Sequence, residues 1–503
     1  MREIDVRHFF KQNIFASLTQ LFTFIFLMLF NILLARMLGP NDFGIFIVIF
    51  SMALTVGMFS DMGLSQVIMK YIGRMVRQKD ARAPFYFRHL LKIKLSMMLI
   101  LFIALYLASD MLAASLLHNA SLGWLFKLSA VMAVVYSLLL FFDSFFASLN
   151  KYQYSMLANF VSSALRVALP VSFLLLGLGI IGALYGVFIS FLLSVAIMGA
   201  FFYPLFRKSL LRAPPKTFGL TDFDKFLLYS AGIGILITAY NNLDTFILSF
   251  FRSPSEVSFY RTALSIATYA MALLPISGKF LFSAFVAFEE KSKSLMEKAF
   301  NKTLRYAIIL GIPAIIGVYV LSSKIIVLFY SAEYLPASSA LEVLSPLILI
   351  ILVEILTLNV LMIAGRLKQA LIIPAVTVTY SIIGNIALIP AFGYMAAAFN
   401  CLVFHIISMS LGIYFCRDLI KIKIDINNLA KTVLSSLAMG LVIVYLLSQM
   451  HSIIEIGLTV VAAILVYVLL QIVIGGINKS DISLMQRAVP CRFWGPLMKI
   501  CRN

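Results

Sequence analysis

Apolar runs long enough to cross a lipid bilayer follow one another along almost the whole chain. A membrane-spanning helix needs about 20 consecutive apolar residues. Only 12% of the 503 residues are charged and 62% are hydrophobic, whereas soluble domains are about one quarter charged. A soluble globular protein is therefore excluded. We predict an all-α polytopic membrane protein with about fourteen transmembrane helices, at 14–38, 44–69, 90–109, 123–149, 154–176, 180–206, 226–251, 257–288, 303–322, 339–364, 368–390, 394–416, 429–449 and 454–477.

The Lys and Arg residues are distributed unevenly over the predicted connections. If the N-terminus is cytoplasmic, the inner loops and tails carry 33 of these 40 residues, and the outer connections carry four, which are Arg36, Arg252, Arg261 and Lys324. Cytoplasmic loops of membrane proteins are enriched in Lys and Arg. We therefore predict a cytoplasmic (inner) membrane protein with both termini in the cytoplasm. This bias explains the net charge of +19 without a nucleic-acid partner.

Two short motifs recur at the same offset of 214 residues. Gly39–Phe46 resembles Ser253–Tyr260, and Gly179–Ala183 aligns with Gly393–Ala397. An even number of helices between the copies gives two six-helix halves of the same orientation, related by an axis along the membrane normal. The predicted organisation is an N-terminal lobe at 1–207, a cytoplasmic linker at 208–225, a C-terminal lobe at 226–420, an extra helix pair at 421–477 and a basic cytoplasmic tail at 478–503.

Cations inside the predicted spans are the first candidates for a binding site. Arg166 lies near mid-depth of the fifth span, and Lys279 follows Pro275 in the eighth. A charge in a span costs about 2.5 to 3.5 kcal/mol on insertion scales, so it usually faces a water-filled cavity or a partner. We predict that Arg166, Lys279 and Arg36 bind substrate in a central cavity. For Arg36, near the outer end of the first helix, anchoring at the membrane interface is an alternative.

Four acids also fall inside predicted spans: Asp61, Asp143, Asp244 and Glu354. Coupling to a proton or sodium gradient needs a carboxylate that can change charge in a cavity of low dielectric constant. Glu354, near the middle of the tenth helix, fits this role best. The alternative is an ion pair between helices, which we favour for the three Asp residues. We interpret His405, in the twelfth helix, as a hydrogen-bonded packing residue.

Other chemistry finds little support in the sequence. Gly177–Gly182 matches a dinucleotide-binding pattern but lies between two spans with no strand before it, and Gly278-Lys279 is followed by Phe280 and not by Ser or Thr. Four clustered cysteines and five scattered histidines suggest neither a disulfide framework nor a zinc site. We therefore predict no cofactor, no metal, no ATP hydrolysis and no enzymatic activity. Three tyrosines are candidates to line a polar cavity: Tyr136, Tyr240 and Tyr380.

Four motifs resemble those of a known transporter family. They are Ala35–Gly44 (ARMLGPNDFG), Asp61–Leu64 (DMGL), Asp244 followed by Val257–Tyr260 (VSFY), and Asn385–Gly393 (NIALIPAFG). They are similar to the A-R-x-L-G-P-x-x-[FY]-G, D-x-G-L, D-x(n)-V-G-x-Y and N-x-x-L-I-P-x-[FY]-G patterns of Wzx-type polysaccharide (O-antigen) unit flippases, within the multidrug/oligosaccharidyl-lipid/polysaccharide (MOP) exporter superfamily. Ser258 replaces the usual glycine, and Ala396–Ala398 stands for the usual G-A-A.

The resemblance implies a fold, a substrate and partners. The implied fold has two six-helix lobes around a cationic cavity, as in multidrug (MATE) transporters and lipid II flippases, plus two C-terminal helices. The implied substrate is a polyprenyl-pyrophosphate-linked oligosaccharide, translocated by alternating access, with membrane lipids, glycosyltransferases and a polysaccharide polymerase as partners. The alternative is an ion-coupled multidrug antiporter, which embedded cations disfavour. A glycosyltransferase or polymerase fits poorly, because the predicted outer loops are short.

Overall fold

The computed structural model describes residues 6–73, 75, 78, 80, 83–149, 152–210, 221–273, 293–423, 425–447 and 453–476. Within these ranges the chain forms helices joined by turns and contains no strand. The helices are α1 (Val6–Phe59), α2 (Leu64–Val67), α3 (Ala83–Leu116), α4 (Gly123–Ser148), α5 (Tyr152–Leu175), α6 (Gly179–Leu210), α7 (Thr221–Phe251), α8 (Pro254–Leu273), α9 (Lys293–Val320), α10 (Ser322–Phe329), α11 (Ala337–Leu344), α12 (Leu347–Ile363), α13 (Leu367–Cys416), α14 (Ile426–Leu447) and α15 (Ile453–Val473).

The predicted class, an all-α polytopic membrane protein, is confirmed. Among the described residues, nine helices are long and apolar enough to cross a membrane, or ten if the bent pair α11 and α12 counts as one span. In lipid a helix satisfies its backbone hydrogen bonds internally, which explains why apolar runs of this length are helical. The count of fourteen spans stays a prediction.

Two predicted spans are interrupted, so their description as single helices is wrong. The predicted span 44–69 breaks after Phe59, where Met62 and Gly63 have φ of 40° and 71°; a left-handed backbone cannot continue a right-handed helix. After α2 the chain forms a π-helical turn, Ile68–Ile72. The predicted span 339–364 bends by 41° between α11 and α12, beside Pro346, which has no N–H to donate.

Glycines of both sequence repeats lie at breaks in the helices. Gly179 and Gly393, which are 214 residues apart, have φ of 54° and 58°. Gly393 lies inside α13, and Gly39, with φ of 74°, interrupts α1 in the same way. Gly39 and its counterpart Ser253 are each followed by proline at the start of a helical segment. The motifs that define the repeat are therefore points where the chain changes direction.

The break at Gly393 is capped on both sides by charged residues of the preceding repeat motif. Arg252 donates to the carbonyls of Ile389 and Pro390 at 3.3 and 2.8 Å. The backbone N–H of Tyr394 donates to Glu256 Oε2 at 3.0 Å. A cation thus meets the carboxyl end of one half-helix and an anion the amino end of the next, which matches the polarity of both helix dipoles.

Packing divides the chain into two compact units. Unit 1 comprises Met1–Arg261 and Ile382–Ala397, and unit 2 comprises Thr262–Ser381 and Ala398–Asn503. Residues 221–261, which the sequence assigns to the C-terminal lobe, therefore pack within unit 1. The predicted lobe boundaries stay a prediction.

Candidate functional site

Arg166 lies on α5 of unit 1 and has no acidic partner. Its guanidinium carbon lies 4.8 Å from the centre of the Phe191 ring on α6. Within the described part of the chain it forms no ion pair, and its buried Nε has no hydrogen-bond partner. An unsatisfied buried donor costs about 1 to 3 kcal/mol. An anionic ligand would remove this cost, so Arg166 fits an anion-binding role.

Close packing of α5 on α6 fixes the position of this guanidinium. Pro170 of α5 lies directly against Gly186 of α6, where a Cβ would sit 2.5 Å from the proline nitrogen. Only a glycine therefore allows the two backbones to approach so closely. Because Pro170 has no N–H, the carbonyl of Arg166, four residues earlier, also lacks its usual helical donor.

Ser162 adds a second unpartnered polar group to the same face of α5. It precedes Arg166 by four residues, so the two side chains share a face of the helix. The Ser162 hydroxyl is buried without a hydrogen-bond partner. The adjacent Ser163 differs, because its hydroxyl donates to the carbonyl of Asn159 at 2.7 Å. Arg166 and Ser162 thus form a polar site whose hydrogen-bonding capacity is unused.

An aromatic wall from α4 and α6 borders this site. The ring centres of Tyr136 and Phe191 are 5.4 Å apart. Asp143, two turns beyond Tyr136 on α4, accepts a hydrogen bond from Asn159 at 3.4 Å. The ion pair suggested by the sequence between Asp143 and an embedded cation does not form with Arg166. A guanidinium beside aromatic rings is a suitable arrangement for a phosphate that carries a sugar.

Asp61 occupies the break after α1 and is engaged by a lysine. Lys94 Nζ of α3 lies 3.4 Å from Asp61 Oδ1 and 3.3 Å from Ser60 Oγ. The Lys94 side chain is 0% exposed. Asp61 also accepts hydrogen bonds from the hydroxyl and the N–H of Ser65, at 2.8 and 3.2 Å. The acid therefore caps α2 and neutralises Lys94, which the sequence placed in the inner loop 70–94.

Glu354 lies near the middle of α12 and faces α13 within unit 2. His405 Nδ1 is 2.8 Å from Glu354 Oε2, and the hydroxyl of Ser408 donates to Glu354 Oε1 at 2.6 Å. The predicted coupling candidate thus has a titratable partner, His405. Its predicted hydrogen bond is present, but its partner is an acid, which packing alone does not require.

The other candidates are less informative. Asp244 accepts hydrogen bonds from the hydroxyl of Tyr260 and from the N–H of Thr245, and forms no ion pair with a described residue. Arg36 is exposed, near the break at Gly39. The Tyr380 hydroxyl donates to Asn400 Oδ1 at 3.1 Å. Lys279 and the side chain of Tyr240 lie outside the described residues.

Sequence reasoning missed three residues of these sites: Lys94, Ser162 and His405. A start of the third helix at Ala83 puts Lys94 inside a span, where a charge needs a partner. For His405, the signal was a second titratable side chain among the spans that also held Glu354. Nothing in the sequence distinguishes Ser162 from Ser163. In the described ranges, no group of three His, Cys, Asp or Glu residues could hold a metal ion.

Comparison with known proteins gives a family and a fold. Residues 9–279, more than half of the chain, match the family described as polysaccharide biosynthesis protein. The probable low-salt glycan biosynthesis flippase of Haloferax volcanii is 24% identical over 261 residues, which are 50% of this chain and 54% of that protein. The chain therefore spans about half the length of this relative.

Two solved structures share the fold. One is the lipid II flippase MurJ in an inward closed conformation, with a TM-score of 0.71 and 17% identity over 94% of this chain and 99% of that chain. The other is a multidrug resistance MATE family transporter of the MOP superfamily in an inward-facing conformation, with a TM-score of 0.62 and 16% identity over 79% and 94%. The predicted fold resembling MATE transporters and lipid II flippases is confirmed.

Proposed function

This chain belongs to the polysaccharide biosynthesis protein family, and from that premise we propose that it is a flippase. Its substrate is a polyprenyl-pyrophosphate-linked oligosaccharide, the repeat unit of a polysaccharide, as in Wzx-type O-antigen flippases. Translocation proceeds by alternating access. The similarity to the probable glycan biosynthesis flippase of Haloferax volcanii supports this substrate class.

One observation carries the proposal: Arg166 has a buried, unsatisfied donor in a membrane-spanning helix. A pyrophosphate brings negative charge into a region of low dielectric constant. There a guanidinium offsets its desolvation and makes short, charge-assisted hydrogen bonds. Ser162 supplies a further donor on the same face, and the rings of Tyr136 and Phe191 offer an apolar wall to the sugar. The polyprenyl tail stays in the lipid.

The test is transport by purified protein in proteoliposomes, with a fluorescent farnesyl-pyrophosphate-linked N-acetylglucosamine as probe. Loss of a charged hydrogen bond costs about 1.5 to 3 kcal/mol, so Arg166→Met should lower transport about 10- to 100-fold, while Arg166→Lys retains part of it. Arg417→Met is the matched control, because Arg417 also stacks on a ring, Tyr414 at 4.0 Å, but is exposed. Equal transport by all three variants and wild type would contradict the role of Arg166.

An ion-coupled multidrug antiporter is the alternative, since a MATE transporter shares the fold. The two functions predict opposite responses at Arg166. A cationic drug is repelled by the guanidinium, so Arg166→Met would raise the efflux of a cationic dye. A flippase shows no such gain and loses transport of the glycan lipid.

The proposed location is the cytoplasmic membrane, with both termini in the cytoplasm. A reporter fused after Asn503 should then read cytoplasmic, and one at Asn119 external. Membrane lipids, glycosyltransferases and a polysaccharide polymerase are the proposed partners, because the repeat unit is built on one side of the membrane and joined on the other. An external signal from Asn503 would contradict this topology.

A further inference from the structure

A carboxylate and an imidazole face each other in the membrane-spanning part of unit 2. Glu354 is the acid, on α12, and His405 and Ser408 contact it from α13. The side chains of Glu354 and His405 are only 23% and 10% exposed. Met296, Phe300 and Leu304 of α9 pack with the apolar side of α12, so the pair lies beside a closed hydrophobic core.

The groups around the pair give Glu354 a titratable partner. On α13 the Cys401 thiol contacts His405, and on α12 the Thr357 hydroxyl donates to the Glu354 carbonyl at 3.0 Å. Gly311 of α9 packs against Leu349, and the core contacts show that α9 and α12 are antiparallel. About one and a half turns on, α9 carries Arg305 and Tyr306. Arg305 donates to the carbonyl of Gly476 at 3.1 Å.

We propose that Glu354 and His405 together hold one exchangeable proton, and that its uptake and release accompany transport. With one proton the pair is neutral overall, either as carboxylate and imidazolium or as acid and imidazole. With no proton it carries one negative charge, and with two it carries one positive charge. Low dielectric surroundings penalise both charged states, so the pair titrates as a unit around the one-proton state.

Release of the proton requires hydration of the pair, because water stabilises the charge that remains. A conformational cycle that wets the pair from one side and then from the other would carry one proton per turnover. One coupled proton supports up to a tenfold substrate gradient for each pH unit across the membrane. The proton site stands on its own geometry, whereas the coupling rests on the proposed flippase function.

Proton binding is tested without any glycan. Infrared difference spectra of the full-length protein in nanodiscs, recorded between about pH 5 and 9, should contain carboxyl and imidazole bands from the pair. Glu354→Gln and His405→Asn should each remove these bands. Glu333→Gln, at an exposed acid outside the spans, should leave them unchanged. Wild-type spectra with no change that depends on Glu354 and His405 overturn the proposal.

Coupling is tested in proteoliposomes with the fluorescent farnesyl-pyrophosphate-linked N-acetylglucosamine. A gradient of one pH unit should change wild-type accumulation by up to tenfold, and Glu354→Gln should transport without responding to the gradient. Wild-type transport indifferent to the gradient overturns the coupling. If the probe is not transported at all while the infrared bands depend on Glu354, the proposed function fails and the proton site stands.

Discussion

Unit 1 holds two cations inside membrane-spanning helices, and they differ in whether an acid accompanies them. Lys94 on α3 is fully buried and lies 3.4 Å from the carboxylate of Asp61. Arg166 on α5 forms no ion pair with a described residue, and its Nε is unsatisfied. The charge of Lys94 is therefore neutralised within the protein. That of Arg166 remains available to a ligand, so the same residue class has a structural role in one place and a binding role in the other.

The largest expected effect is at the paired cation. Asp61→Asn leaves the ammonium of Lys94 buried without an anion, which should lower the free energy of unfolding by about 3 to 5 kcal/mol. Lys94→Met should cost less, because Asp61 is 17% exposed and keeps its bonds to Ser65. Thermal unfolding in detergent measures both variants.

The double variant Asp61→Asn with Lys94→Met is the control for this prediction. It removes both charges, so most of the lost stability should return. If the double variant is as unstable as the sum of the single ones, the two side chains do not act as a pair, and Lys94 must serve another partner.

At the unpaired cation a much smaller change in stability is expected. Arg166→Met removes an unsatisfied donor but also a contact with Phe191, and each is worth about 1 kcal/mol. The free energy of unfolding should therefore change by less than about 1 kcal/mol, even though transport is lost. A loss of 3 kcal/mol or more would show that Arg166 has a structural role like that of Lys94.

The sequence predicts the fold well because the membrane imposes it. Apolar runs must be helical in lipid, and proline or glycine marks most of their ends. Interruptions inside the runs are harder to predict. The break at Asp61 depends on positive φ at Met62, a residue type that seldom adopts it, and this break is what brings Asp61 to Lys94.

The candidate sites are only partly predictable, for a related reason. The cost of a charge in lipid identifies Arg166 and Glu354 as unusual residues. It does not identify their partners, because contacts between helices depend on how each helix is rotated. Thus the sequence allowed Arg166 to pair with Asp143, which instead bonds Asn159, and it treated His405 as unrelated to Glu354.

The smallest effect separates two adjacent serines of α5 and tests whether the face of Arg166 is the binding face. Ser162→Ala removes the unpartnered hydroxyl beside Arg166, and one hydrogen bond to a ligand is worth about 1 kcal/mol. Its kcat/KM for the farnesyl-pyrophosphate probe should therefore fall about fivefold. Ser163→Ala removes a hydroxyl that is already bonded to the carbonyl of Asn159, so transport should stay at the wild-type rate. If Ser163→Ala is the impaired variant, the ligand approaches another face of α5, and Arg166 is not its anchor.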